Sequence, residues 1–464
     1  MIDTFFHPDG VAVIGAGESP VKGGFHILRN VLAGYRGKVY PVNPRYQELQ
    51  GLRCYPDVAS IPDSFDLAIY FIPAKFLPDT LRQCADRGVK AVIIESAGFS
   101  EVGPGGKALQ EECVALARGL GIRLWGPNCM GLLDGHSRNV FSFMYTDKWQ
   151  TLMKPGGVSL VVQSGMLSAG FLMMILEKGG MGISKVCSIG NKCDVNETEL
   201  LEYLLEDEST TVVGCYLESI TDGRRFLDLA RSSDKPVVVL KSGRSPLGAR
   251  AAMSHTASLS GEAAVYDGAF RQAGIVQVYD VHELMDFSRG FSVCGAVKPS
   301  GGAAIVTFSG GAGIVTTDLL SDRGVPLAEL SPRTVSSLKE VFPPWMEPSH
   351  PVDLWPAVEM HGLEKVYLAA AEALMKDEAV DSVLIQGIAW DLSEPAYLNE
   401  IARMGREHGK PVVVWMIGSV ETVEMYRQTA EAAGMPSFTE IVRCVDFLAG
   451  LRRHGKKVNG RGRY

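Results

Sequence analysis

A histidine in a loop-like stretch is the residue of this sequence best suited to covalent chemistry. His255 lies in KSGRSPLGARAAMSHTASLSGE (241–262), which follows a predicted strand and is rich in Ser, Gly and Ala. The stretch has little apolar periodicity, so it predicts a long loop, and long loops in compact domains are often functional. An imidazole can attack a phosphoryl group as a nucleophile. A solvated loop side chain is the alternative for an isolated histidine.

Glu218 ends a predicted strand, GCYLE, and is the acid best suited to assist such a histidine. A carboxylate at this position can hold one ring nitrogen, which fixes the tautomer and makes the other nitrogen more nucleophilic. The corresponding place in a later copy of the same pattern, QGIAW (386–390), has no acid. A purely architectural need for Glu218 is therefore less favoured, and His255 and Glu218 are the candidate catalytic residues.

Two short glycine-containing segments, QSGM (163–166) and SGGAG (309–313), each follow a strand directly and open a helix. A helix start presents free backbone N–H groups and a favourable dipole to an anion. Each segment alone is equally typical of a structural turn, but their matching positions in duplicated units favour a phosphate site gripped from two sides. The candidate phosphate-binding residues are Ser164, Gly165, Met166, Ser309, Gly310 and Gly311.

A third glycine-rich turn follows the first predicted strand, VAVIG, and also precedes a helix. Such a turn lets the backbone approach a ligand phosphate. Pro20 replaces the third glycine of the dinucleotide fingerprint, and Asn43 and Arg45 stand where a ribose-binding acid is expected. A cation there suits a ligand with an extra ribose phosphate, so NADP and coenzyme A both qualify, and a plain tight turn remains open. Lys22 is either a phosphate contact or a solvated lysine.

Further candidates lie at predicted carboxyl ends of strands, where open α/β sheets bind ligands. Glu95 can accept hydrogen bonds from a ligand amide or hydroxyl, or it can be a carboxylate favoured at a helix start. Cys129, on the GPNCMG turn, is more typical of a small buried filler. The candidate cofactor-binding residues are Gly15, Gly17, Ser19, Lys22, Val42, Asn43, Arg45, Pro73, Glu95 and Asn128.

Short apolar runs alternate with helical patterns over nearly the whole chain, which predicts doubly wound parallel sheets. We expect an α/β protein of three Rossmann-like or flavodoxin-like domains at 1–147, 148–296 and 297–464, the second and third being divergent copies. The expected linkers are LMKPGGV (152–158) and GAVKPSGG (295–302). The predicted strands are 11–15, 38–42, 66–72, 90–95, 122–126, 157–162, 183–189, 211–218, 236–241, 303–308, 382–389 and 411–417.

Composition restricts the class of protein. A formal net charge of −8 over 464 residues argues against a general nucleic-acid binder. The first residues lack a signal-peptide pattern, and the apolar stretch 169–177 is too short to span a bilayer. Nine cysteines without a CxxC pair indicate reduced thiols in a cytoplasmic protein, with no disulfide framework and no metal site.

From residue 3 to 455 the sequence resembles the ADP-forming acyl-CoA synthetases, relatives of succinyl-CoA synthetase. SHTASLSG (254–261) is similar to the phosphohistidine loop of that family, and QSGM and SGGAG are similar to its two phosphate-cradling helix starts. The first-domain turns resemble its CoA-binding domain, although GAGESP differs from the commoner GAS-type turn. HPVDL (350–354) resembles a segment of its third domain.

The resemblance implies a reaction and a partner. Phosphate attacks an acyl-CoA thioester, His255 takes the phosphoryl group from the acyl phosphate with support from Glu218, and ADP then receives it. Coenzyme A would be a substrate, and ATP or ADP with magnesium would bind a separate ATP-grasp beta subunit in an alpha2beta2-type hetero-oligomer, because no segment up to Tyr464 resembles that domain. A non-catalytic acyl-CoA sensor and, less favoured, an NAD(P)-dependent oxidoreductase remain alternatives.

Overall fold

The computed structural model describes residues 2–144, 152–178, 181–250, 262–294, 299–390 and 394–460. The chain forms two compact units, Met1–Met285 and Asp286–Tyr464. The first unit contains two large sheets and the second contains one.

The first sheet is parallel and has the order β2-β1-β5-β6-β7, beside a small antiparallel hairpin of β3 and β4. Its strands are runs of Val, Ile, Leu and Ala that are buried on both faces, as expected of a parallel sheet covered by helices. Strands β1–β7 span Gly10–Ile14, Lys38–Val42, Glu48–Leu49, Leu52–Arg53, Leu67–Tyr70, Ala91–Ile94 and Arg123–Trp125. Helices α1–α4 span Asp3–Phe6, Gly23–Gly34, Leu77–Asp86 and Pro104–Leu120, with short 3₁₀ turns at Ala74–Phe76 and Ser100–Val102.

The second sheet has the order β14-β13-β12-β10-β11-β8-β9. Five of its strands are parallel, and β8 and β9 add an antiparallel edge. Strands β8–β14 span Leu132–Asp134, Val140–Phe141, Pro155–Val162, Ile183–Ser188, Val212–Leu217, Val237–Lys241 and Val276–Val278. Helices α5–α9 span Gly165–Lys178, Glu197–Glu206, Gly223–Ser232, Ala263–Ala273 and Val281–Val293.

The third sheet, in the second unit, is parallel with the order β16-β15-β17-β18-β19. Strands β15–β19 span Gly302–Thr307, Val352–Asp353, Val380–Ala389, Val412–Gly418 and Ser437–Phe438. Helices α10–α16 span Gly310–Asp322, Pro332–Lys339, Trp355–His361, Leu363–Met375, Tyr397–Glu407, Val420–Ala432 and Ile441–Gly460.

All three sheets share one strand order. When the parallel strands of each sheet are counted along the chain, the order across the sheet is 2-1-3-4-5. In such open sheets the ligand crevice lies at the carboxyl ends of strands 1 and 3, where the winding direction reverses. The predicted α/β fold with parallel sheets is thereby confirmed. The sequence analysis did not indicate the short parallel strands β14, β16 and β19 or the antiparallel strands β3, β4, β8 and β9.

Inside the first unit the two sheets share one continuous apolar core. Trp125, at the end of β7, is fully buried and donates its indole N–H to the Ser188 carbonyl of β11 at 2.7 Å. Phe5 and Phe6 of α1 pack against the same indole ring, with ring centroids 5.2 and 6.0 Å away. The carboxyl end of the last strand of the first sheet is therefore fixed against the second sheet.

Two sequence-based expectations need correction. Residues 155–158 belong to strand β10 and not to a linker, because Gly156 and Gly157 let the strand pass close to Gly182 and Thr211. Residues 246–250 are helical, so the stretch 241–262 is not loop throughout. The Ser245 hydroxyl accepts the Gly248 N–H at 3.0 Å and Pro246 follows it, the residue types that favour a helix start.

None of the helices in the described part of the chain combines the length and apolar character needed to cross a bilayer. All nine cysteines are free thiols.

Candidate functional site

The turn after β1 requires glycine at two places. Gly15 has a positive φ of 95°, and a Cβ there would lie 2.5 Å from the Phe71 carbonyl oxygen of the neighbouring strand end. Gly24, in the first turn of α2, would place a Cβ 2.0 Å from the Gly15 carbonyl oxygen. Gly24 therefore provides the close helix–turn packing that the third glycine of the dinucleotide fingerprint would provide, where the sequence has Pro20. The sequence analysis did not consider the glycine pair at 23–24 for this role. A Cβ at Gly17 would meet no described heavy atom within 4 Å, so this side of the turn is open.

The loop after β2 braces this turn. The Gly15 N–H donates to the Val42 carbonyl at 2.9 Å. Asn43 donates from its side-chain nitrogen to the Ala16 carbonyl at 2.7 Å, and its side-chain oxygen accepts the Arg45 N–H at 3.0 Å. The Asn43 amide thus positions the turn, while the side chains of Arg45 and Lys22 are exposed and Ser19 is half-buried.

Glu95 follows β6 and is deeply buried. Its Oε2 accepts the Phe143 N–H at 2.9 Å, and its Oε1 has no hydrogen-bond partner among the described residues. Burial raises the pKa of the Glu95 carboxyl well above its ordinary value, although the Phe143 N–H opposes the shift. The neutral carboxyl can donate as well as accept a hydrogen bond. Glu95 is not a carboxylate at a helix start, which was the alternative interpretation, because α4 begins only at Pro104.

Pro73 and Asn128 complete this edge of the first sheet. Pro73 precedes a 3₁₀ turn, and its carbonyl accepts the Tyr70 hydroxyl at 2.7 Å. Asn128 has a positive φ of 56°, and its N–H donates to the Ser96 carbonyl at 3.0 Å. Cys129 is buried as a filler, and burial raises the pKa of its thiol. The candidate residues of the first domain therefore follow the carboxyl ends of its five strands.

The start of α5 lies beside this edge. A Cβ at Gly165 would meet the Met130 Cγ at 3.4 Å and the Asn128 carbonyl oxygen at 4.0 Å. Ser164 caps the helix by accepting the Leu167 N–H on its hydroxyl at 3.4 Å, and the Met166 side chain is 77% exposed. The structure thus brings Ser164, Gly165 and Met166 next to the turn that bears Asn128.

Glu218, one residue beyond β12, is only 6% exposed. Its Oε2 has no hydrogen-bond partner in the described part of the chain. Gln163, at the end of neighbouring strand β10, accepts the N–H groups of Glu218 and Ser219 on its side-chain oxygen at 2.9 and 3.2 Å. The acid therefore lies beside the start of α5, at the point where the second sheet reverses its winding.

Two buried lysines, which the sequence analysis did not single out, surround Glu218. Lys241 ends β13 and donates to the Glu218 carbonyl at 2.7 Å, and Lys192 donates to the Ser219 carbonyl at 2.8 Å. Burial lowers the pKa of Lys241 to about 8 against the attraction of Glu218. Burial also lowers the pKa of Lys192, against the attraction of Glu197 and Glu218. In the sequence, these two residues could be recognised only as a lysine at the end of a strand and a lysine shortly after one.

His255 and its neighbours at 251–261 lie outside the described residues. The chain leading to them leaves the sheet next to Glu218, since Leu217 pairs with Lys241 and the Ser242 N–H donates to the Leu217 carbonyl at 3.0 Å. Arg244 then forms an ion pair with Asp267 of α8, in which its Nη2 donates to both carboxylate oxygens, at 2.9 and 3.0 Å. Both flanks of the histidine segment are thus attached to the second sheet.

The second unit contains the other candidate helix start. Ser309 precedes α10 in extended conformation, and Gly310 and Gly311 are exposed. The Asp353 carboxylate, in HPVDL, would lie 3.2 Å from a Cβ at Gly310. Ser164–Met166 and Ser309–Gly311 belong to different units, so their joint grip on one phosphoryl group stays a prediction.

Comparisons with known proteins show the family of the chain. The sequence model of a CoA-binding domain matches residues 9–134, and that of a succinyl-CoA-ligase-like flavodoxin domain matches residues 155–291. The chain is 38% identical over 456 residues to acetate–CoA ligase (ADP-forming) II of Archaeoglobus fulgidus, covering 97% of this chain and 67% of that protein.

Two further relatives extend over the whole chain. The alpha subunit of acetate–CoA ligase (ADP-forming) II from Pyrococcus furiosus is 36% identical over 469 residues, with 99% of both chains covered. A solved dinucleotide-forming acetyl-coenzyme A synthetase 1 of Ca. Korarchaeum cryptofilum, in complex with phosphate and ADP, superimposes with a TM-score of 0.89 at 31% identity, covering 100% of this chain and 99% of that chain. The chain therefore belongs to the family of ADP-forming acetate–CoA ligases, acid–thiol ligases with CoA-binding and succinyl-CoA-ligase-like domains.

Proposed function

We propose that this chain is the CoA-binding and phosphohistidine subunit of an ADP-forming acyl-CoA synthetase. It would interconvert acyl-CoA, phosphate and ADP with a small carboxylic acid, CoA and ATP. The observation that carries the proposal is the buried Glu218 carboxyl, whose Oε2 has no partner among the described residues although it lies beside the start of α5 and beside the strand that leads to His255. A buried polar atom without a hydrogen-bond partner costs free energy, unless another group forms a hydrogen bond with it during function.

The first step uses the carboxyl edge of the first sheet. The open turn at Gly15 and Gly17 can take a CoA phosphate on its backbone, with Ser19, Lys22 and Arg45 near its rim and Val42, Asn43, Pro73, Glu95 and Asn128 along the same edge. Inorganic phosphate attacks the thioester carbonyl carbon, the carbon–sulfur bond breaks, and the CoA thiolate leaves. The products of this step are an acyl phosphate and CoA.

The second step moves the phosphoryl group to the protein. One ring nitrogen of His255 attacks the phosphorus, and the bond from phosphorus to the acyl oxygen breaks, so the carboxylate leaves. Glu218 would accept the N–H of the other ring nitrogen, which keeps the attacking nitrogen free of a proton. The N–H groups at Ser164–Met166, and those at Ser309–Gly311, would stabilise the negative charge of the phosphoryl oxygens.

The last step needs a nucleotide site. We propose that ADP, with magnesium, binds an ATP-grasp beta subunit and receives the phosphoryl group from His255, in an alpha2beta2-type assembly. The Pyrococcus furiosus relative, which has the same extent as this chain, is named an alpha subunit. The relatives named above act on acetate, so acetyl-CoA is the first substrate to try.

Phosphohistidine formation tests the proposal directly. The chain, together with its ATP-grasp partner, would be incubated with acetyl-CoA and radiolabelled phosphate. We expect an acid-labile, base-stable label that disappears in His255→Ala and forms slowly in Glu218→Gln. His282→Ala is the matched control, because His282 is an exposed histidine of the same unit and its replacement should leave labelling intact. Acyl-CoA binding without any label on the wild-type protein would contradict the proposal and favour a binding module.

A further inference from the structure

The backbone that bears Glu218 is held by buried side chains from three other segments. Gln163 accepts the N–H groups of residues 218 and 219. Lys241 and Lys192 donate to the carbonyls of the same two residues. Glu197, at the start of α6, accepts the Thr221 N–H on its Oε1. Four side chains thus fix the direction in which a single carboxyl leaves the sheet.

Lys192 is the member of this set with the most constrained backbone. It has a positive φ of 45°, which is uncommon for any residue other than glycine and costs free energy. Its side chain is 8% exposed and forms an ion pair with the fully buried Glu197 at 2.7 Å. A buried ion pair is weak evidence of a gain in stability. Backbone strain and a desolvated charge pair at one residue therefore indicate that Lys192 serves the site.

The turn that bears Lys192 also contacts the first sheet. Within residues 189–193, the N–H groups of Asn191 and Cys193 donate to the carbonyls of Pro127 and Gly126, both at 2.9 Å. A Cβ at Gly190 would lie 2.1 Å from the Pro127 carbonyl oxygen, so the two turns are in close contact. The Asn191 side chain donates to Glu101 at 2.7 Å, in the loop that follows Glu95.

We propose that Lys192, anchored by Glu197, is a positioning residue that orients the Glu218 carboxyl, and that turn 189–193 sets this carboxyl relative to the turn 126–128 of the first sheet. The inference rests on the proposed role of Glu218 at His255. Through the turn, one rigid connection runs from the edge where the thioester would bind to the acid that would support the phosphohistidine. The two sites would otherwise depend on separate sheets for their alignment.

The test compares two lysine replacements in the enzyme assembled with its ATP-grasp partner. Lys192→Met keeps the aliphatic stem and removes the ammonium group. The matched control is Lys235→Met, because Lys235 also donates to a backbone carbonyl, that of Asp207 at 2.7 Å, but just before β13, at the opposite end of the strand from Lys241. Acetyl-CoA and radiolabelled phosphate are the probes, and the readouts are the maximal rate of His255 labelling, the KM for acetyl-CoA and the melting temperature.

We expect Lys192→Met to slow labelling by roughly 10- to 100-fold, as outer residues that orient a functional group commonly do, with the KM for acetyl-CoA unchanged. Lys192→Arg should restore part of the rate, since it can still donate to Glu197 and to the Ser219 carbonyl. Lys235→Met should lower only the melting temperature. Glu197→Gln, which keeps an acceptor for the Thr221 N–H, should lower the same rate if Lys192→Met does not fold.

The possible failures differ. Labelling by Lys192→Met at the wild-type rate overturns the inference alone, as does an equal loss of rate in Lys235→Met or a change confined to KM. A wild-type enzyme that never labels overturns the proposed function and this inference with it.

Discussion

Replacing Gly24 with alanine tests whether the first glycine-rich turn is built for ligand binding. The new methyl carbon would lie 2.0 Å from the Gly15 carbonyl oxygen. A carbon–oxygen contact needs about 3.3 Å, so α2 and the turn after β1 must separate by roughly 1 Å. Gly15 cannot simply rotate away, because its own φ is positive and its N–H is held by Val42.

The cost can be estimated from this displacement. Overpacking of a tight contact typically costs about 1–3 kcal/mol. If the turn moves and the fold is kept, this free energy is the upper bound of the loss in binding, which corresponds to an affinity weaker by up to roughly 5-fold for 1 kcal/mol and up to roughly 150-fold for 3 kcal/mol. We therefore expect Gly24→Ala to bind CoA more weakly by about one to two orders of magnitude, measured by titration calorimetry.

Gly268→Ala provides the matched control. Gly268 lies inside helix α8, and a Cβ there would meet no described heavy atom within 4 Å. Alanine in an open helix interior should raise stability by up to about 1 kcal/mol and leave CoA affinity unchanged. If Gly24→Ala bound CoA as tightly as the wild type while remaining folded, the reasoning from close helix–turn packing would be refuted.

Two further predictions concern the pH dependence that the buried Glu95 and the half-buried Asp207 give to stability. Because burial raises the pKa of Glu95, the folded state holds its proton more tightly, so the free energy of unfolding falls as pH rises above about 4.3, by at most about 1.4 kcal/mol per pH unit. Glu95→Gln removes this pH-dependent loss of stability. In urea unfolding, the free energy of unfolding of Glu95→Gln minus that of the wild type should therefore be greater at about pH 8 than at about pH 5. The same difference at both pH values would contradict the raised pKa of Glu95. For Asp207, burial opposes ionisation, but hydrogen bonds from Lys185, Thr210 and Ser209 lower its pKa. Asp207→Asn should therefore cost up to about 3 kcal/mol at neutral pH. This deficit should narrow as pH falls below about 4, because the carboxylate of the unfolded wild-type chain then takes up a proton while that of the folded chain stays ionised; a deficit independent of pH would count against it.

The longer parallel strands could be predicted from the sequence because their signal is local, whereas the short parallel strands β14, β16 and β19 were not predicted. Runs such as VAVIG and PVVVLK are buried on both faces, so burial and β-branched composition coincide, and the predicted bounds agree closely with the observed ones. The strands Leu132–Asp134 and Val140–Phe141 are too short for any periodicity. Leu132–Asp134 is defined by its pairing with β11, which is remote in sequence, and Val140–Phe141 by its pairing with Leu132–Asp134.

The positions of part of the candidate site could be predicted for a similar reason. Glycines and polar residues at strand ends can be recognised within one short motif, and the structure places Gly15, Asn43, Glu95 and Asn128 along one edge. Lys192 and Lys241 are charged residues that a sequence alone assigns to the surface. Their burial depends on the carbonyls of residues 218 and 219, which come from a different strand.

The shared strand order allows the switch points of the second and third sheets to be compared residue by residue. In both copies the switch point brings together the ends of the first and third strands, β10 with β12 and β15 with β17. The first strand end leads to a helix start in each copy, at Ser164 and at Ser309. The third strand end has Glu218 in one copy and the exposed Trp390 in the other. Under the proposed mechanism, both helix starts would bind phosphoryl oxygens, and the acid at the third strand end would make the second sheet the place where a histidine receives the phosphoryl group.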